Sequence, residues 1–90
     1  MARTNRQAER MPHSLDHILG RFSELRVEIE KAALQDVRFR ALCEDYGVAV
    51  EAFEFWSTSA DARGPTMIDE YRRLLVELEV EIFAEIQKRR

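Results

Sequence analysis

A chain of 90 residues with 46% apolar side chains, three glycines and two prolines has the make-up of one ordered domain that favours helices, not of a disordered segment. Its net charge of −3 is unevenly placed. Residues 1–13 carry Arg3, Arg6 and Arg10 against Glu9, a net of +2; Lys88-Arg89-Arg90 add +3, which leaves −8 on residues 14–87. An acidic body with short basic ends argues against nucleic acid as a partner, because phosphate binding needs clustered Lys and Arg.

Cys43 is the single cysteine, so an internal disulfide is excluded and no cysteine pair suggests zinc. No apolar run is long enough to span a bilayer, and no signal-peptide core follows Met1. The expectation is a cytoplasmic protein with no membrane partner. A domain this short buries a small share of its surface, so association with other chains is a common supplement.

In chain order, residues 1–12 read as a flexible basic tail ending at Pro12, followed by a single helical domain over 13–90. Ser14 offers an N-cap, with Asp16 favourably placed near the positive helix end. Leu15, Ile18, Phe22, Leu25, Ile29 and Ala32 then alternate spacings of three and four, the pattern of a helix that packs on another helix, over about 14–34.

At Asp36 two readings are open. The same pattern can continue through Phe39, Cys43, Tyr46, Val50 and Phe53 as one long helix over 14–56. Alternatively Asp36 caps a new helix over about 37–56. The cap is favoured, since an aspartate in an apolar seam would bury an unpaired charge.

Polar residues 57–64 form a loop, after which Pro65 and the Thr66–Asp69 capping box open a helix over about 66–88. Its seam is Ile68, Tyr71, Leu75, Leu78, Ile82 and Ile86. Matched helices around a short loop predict an all-α antiparallel hairpin with a preceding N-terminal helix.

A second set of apolar residues lies off these seams. At about 100° per residue, Val48 and Phe55 point away from Tyr46 and Phe53, and Val76, Val80 and Phe83 point away from Tyr71 and Ile82. Helices apolar on two faces are usually sandwiched, so a helical bundle completed by homo-oligomerisation is expected. Phe53 and Trp56 close the loop end of the hairpin. Together Val48, Phe53, Phe55, Trp56, Val76, Val80 and Phe83 are the candidate contact residues.

The segment Gln35-Asp36-Val37-Arg38-Phe39-Arg40-Ala41-Leu42-Cys43-Glu44-Asp45-Tyr46, with Leu78-Glu79-Val80-Glu81-Ile82-Phe83-Ala84-Glu85-Ile86, resembles the YdcH-like family of small bacterial proteins. Arg38, Phe39, Leu42 and Tyr46 match that family's pattern; Val37 stands where proline is common, and Glu79-Val80 replaces the usual Lys-Asp. The resemblance spans about 35–87. It implies a bacterial helical hairpin with an added N-terminal helix, and it brings no catalytic residue.

Catalytic and metal chemistry has few footholds. His13 and His17 stand four apart, but Ser14 occupies the place a zincin fills with glutamate, and further ligands are missing. His17 at the start of a helix loosely resembles a phosphotransfer histidine; Gly20 stands where those domains carry lysine. Glu70, Glu77, Glu81 and Glu85 lack the Glu-x-x-His pairs of di-iron bundles and read as a solvated flank. Cys43 reads as a structural thiol.

The expectation is therefore a non-enzymatic helical interaction module without cofactor or metal, self-associating or docking on a larger protein. A histidine-centred bundle handling metal or phosphate is the remaining alternative.

Overall fold

The computed structural model describes residues 15–89. The expected tail over 1–12, His13 and the Ser14 cap lie outside the described residues. Residues 15–21 form helix α1, and a 3₁₀ turn follows at Ser23–Leu25. Three further helices complete the fold: α2 (Arg26–Gln35), α3 (Val37–Ser57) and α4 (Gly64–Arg89).

Asp36 separates α2 from α3, as the cap reading requires. Its backbone is extended (φ −137°, ψ 108°), and Oδ1 accepts from the amides of Arg38 at 2.9 Å and Phe39 at 3.2 Å. Two otherwise orphaned donors at the start of α3 are satisfied this way. On its other side, the Asp36 amide donates to the carbonyl of Ala32 at 2.9 Å and closes α2. One residue thus ends one helix and begins the next.

α3 and α4 form the antiparallel hairpin. Tyr46 pairs with Glu79 and Asp36 with Arg89, so each step back along α3 matches a step forward along α4. α1 and α2 pack on this hairpin. Ile18, Ile29, Cys43, Ile82 and Ile86 are fully buried at their junction, with Phe39, Tyr46 and Leu78 around them. Burying such side chains is the main favourable term in the fold.

Two expected boundaries differ. The helix over 14–34 is in two pieces, because Phe22 leaves helical geometry (φ −123°, ψ 58°) and the chain tightens into the 3₁₀ turn. Gly20, a weak helix former, stands just before the break. The bend lets Phe22 lie against Phe83 of α4, ring centroids 6.0 Å apart. Leu25 and Ile29 still reach the core beyond it, so the apolar spacing carries no trace of the interruption.

α4 begins at Gly64, two residues before the expected start, and Thr66 lies inside its first turn. The loop is held by Asp61 instead of a Thr66–Asp69 box. Asp61 Oδ1 accepts from the Arg63 amide at 2.8 Å, and its carbonyl accepts from the Gly64 amide at 2.9 Å. The Arg63 guanidinium pairs with the same carboxylate at 3.0 Å and holds the Asp61 carboxyl below its ordinary range. Asp69 pairs with Arg72 at 3.1 Å.

Candidate interaction surfaces

The expected contact residues divide into three settings. Phe53 and Trp56 are half-buried at the loop end of the hairpin, each with a guanidinium over its ring: Arg72 at 5.7 Å and Arg63 at 5.4 Å. Cation–π contacts of this kind favour a closed, ordered loop end. Phe55, one position earlier than Trp56, points outward at 63% exposure and touches Trp56 edge-on at 5.2 Å.

Val76, Val80 and Phe83 follow an i, i+4, i+7 stripe on α4, exposed by 56%, 65% and 43%. Phe22 covers only the Phe83 end of this stripe. Val48 is not part of it. Val48 lies with Asp45, Ala49, Tyr71, Leu74 and Leu78 along a shallow groove where α3 meets α4. Leu74 and Phe83 are nine residues apart, a rotation of about 180°, so groove and stripe occupy opposite sides of α4. The second apolar face expected from the spacing is therefore two separate surfaces.

Polar contacts join the helices at several points. Glu79 Oε2 accepts from the Tyr46 hydroxyl at 2.6 Å and pairs with Arg21 Nε at 3.2 Å, tying α1, α3 and α4 at one point. Burial, and then the bond to the Glu79 carboxylate, push the Tyr46 hydroxyl pKa upward. His17 Nε2 lies 3.6 Å from Glu51 Oε2, its one charged partner among the described residues. No group of three or more His, Cys, Asp or Glu that could hold a metal occurs among the described residues.

Cys43 is fully buried, and that burial pushes its thiol pKa up to about 12. A thiol so far from ionising at neutral pH is a poor nucleophile. No helix among the described residues is long and apolar enough to cross a membrane.

Sequence reasoning missed two features. Leu74 stands between the seam residues Tyr71 and Leu75 and belongs to neither expected apolar set, yet it edges the groove. Arg89 reads as a solvated end, yet it bonds Asp36 at 2.6 Å and sits 5.4 Å over the Phe39 ring. The clue to Leu74 was its place beside the seam; nothing in local pattern pointed to Arg89. No family model matches this chain, and no curated protein or solved structure matches it.

Proposed function

We propose that this protein is a small non-enzymatic helical interaction module that pairs with a second copy of itself through the outer stripe of α4. The observation that carries this reading is the run of Val76, Val80 and Phe83, an apolar helix face that the described residues leave largely open. Apolar stripes with helical spacing gain most by meeting another stripe, because both surfaces leave water together. Two copies of α4 crossing antiparallel would put Val80 against Val80 and Val76 against Phe83, an isologous contact. The resemblance of residues 35–87 to YdcH-like hairpins supports a compact helical module and brings no catalytic group.

Sedimentation equilibrium tests the proposal. Val80→Glu places a charge at the centre of the contact and should yield a monomer with unchanged helix content by circular dichroism. Phe55→Ser, on α3, separates the surfaces: it should leave pairing through α4 intact. A wild-type protein that stays strictly monomeric at high micromolar concentration would sink the reading.

A further inference from the structure

The α3–α4 groove on the side opposite the α4 stripe has a distinct electrostatic character. Its floor is apolar, built from Ala49, Leu74 and Leu78 with Leu42 farther along the same seam. Its rim is acidic. Asp45 lines it directly; Glu70 and Glu77 stand at i−4 and i+3, and Glu81 at i+7, from Leu74 on the same face of α4, Glu81 lining a neighbouring hollow with Leu42.

All four carboxylates are exposed, and none makes an ion pair among the described residues. Arg38 lines the neighbouring hollow with Glu81 and Glu85, and Arg73 stands one turn before Glu77.

We propose that this groove docks a basic amphipathic helix supplied by another protein. An apolar helix face would cover Leu74 and Leu78, and lysine or arginine flanks would meet Asp45, Glu70, Glu77 and Glu81. A second copy of this chain is a poor occupant. It would set the same acidic rim against itself, and like charges in contact oppose association. An anionic lipid surface is repelled for the same reason. The proposal is independent of pairing through Val80, which projects from the other side of α4.

Isothermal titration of the full-length protein with synthetic helical peptides tests this. A leucine–lysine amphipathic peptide should bind. A version with glutamate for lysine should not, nor should a lysine peptide whose leucines are replaced by serine. Leu74→Asn should weaken binding by about tenfold, as loss of a central apolar anchor does. Glu81→Lys, a surface change that spares the core, should weaken binding and flatten its salt dependence. Val80→Glu should leave it unchanged.

Equal binding of the serine-substituted peptide would reduce the groove to a diffuse acidic surface and overturn the proposal. So would unaltered binding by Leu74→Asn with intact helix content. Loss of wild-type self-association in Leu74→Asn would assign the groove to a second copy. Tighter peptide binding after Arg3, Arg6 and Arg10 are all replaced by serine would assign it to the chain's own basic segment.

Discussion

Arg89 Nη2 lies 2.6 Å from Asp36 Oδ2, joining the last turn of α4 to the cap of α3 across 53 residues of sequence. The two oxygens of Asp36 divide the work: Oδ1 takes the amides of Arg38 and Phe39, and Oδ2 takes the guanidinium. One side chain thus sets where α3 starts and fastens the free end of the hairpin.

Substitutions at Asp36 should separate these roles. Asp36→Asn keeps a good cap but loses the charge partner, whereas Asp36→Ala loses both. Urea midpoints should fall in the order wild type, Asn, Ala, and Arg89→Ala should cost the Asn variant less than it costs the wild type.

The bond to Arg89, followed by those to the Phe39 and Arg38 amides, holds the Asp36 carboxyl below its ordinary 3.8. Its stabilising contribution is therefore complete above pH of about 4 and is lost as pH falls through the lower folded value. Acid titration of Asp36→Asn should lack that component.

Tyr46→Phe removes the donor from a carboxylate that is mostly buried and keeps only Arg21 as partner. The expected loss is about 1–2 kcal/mol in urea unfolding. Tyr46 is an acid whose folded pKa is raised. The stability this provides is fully present below the unfolded value near 10 and is lost as pH climbs through the folded one. The wild type should therefore weaken at alkaline pH more steeply than Tyr46→Phe. Parallel alkaline curves would show that the hydroxyl is not protected as the structure has it.

Cys43 offers a probe of global opening. With no exposure and a thiol pKa pushed up to about 12, it should resist Ellman's reagent at neutral pH in the folded protein. Labelling should follow the unfolded fraction through a urea transition. Fast labelling without denaturant would mean that α2 or α4 opens locally to uncover it.

Gly20 lies on the exposed side of α1, and a Cβ added there meets no atom within 4 Å. Gly20→Ala should stabilise the protein by about 0.5–1 kcal/mol through helix propensity alone, raising the urea midpoint. No gain would indicate that α1 is unravelled in solution or that the neighbouring 3₁₀ turn depends on glycine.

Helix existence, the hairpin and the core were legible in the sequence, because each rests on local periodicity. Ile18, Ile29, Phe39, Cys43, Tyr46, Leu78, Ile82 and Ile86 follow three–four spacing and are buried in the fold. Asp36 was readable as a cap, since an aspartate between two apolar runs satisfies backbone donors more cheaply than it buries a charge. Pattern alone could not locate the break at Phe22, because both pieces continue the same spacing around it.

Only the tertiary structure decided which distant residues meet. Arg89 looks like an ordinary basic end until the hairpin brings Asp36 beside it, and Glu79 looks like solvated flank until α1 delivers Arg21 and α3 delivers Tyr46. Val48, Val76, Val80 and Phe83 were visible as off-seam apolar positions, but their division between a stripe and a groove depended on how α3 and α4 pack. Helical periodicity fixes the angle of a side chain about its own axis; the neighbour it meets there is set by long-range packing.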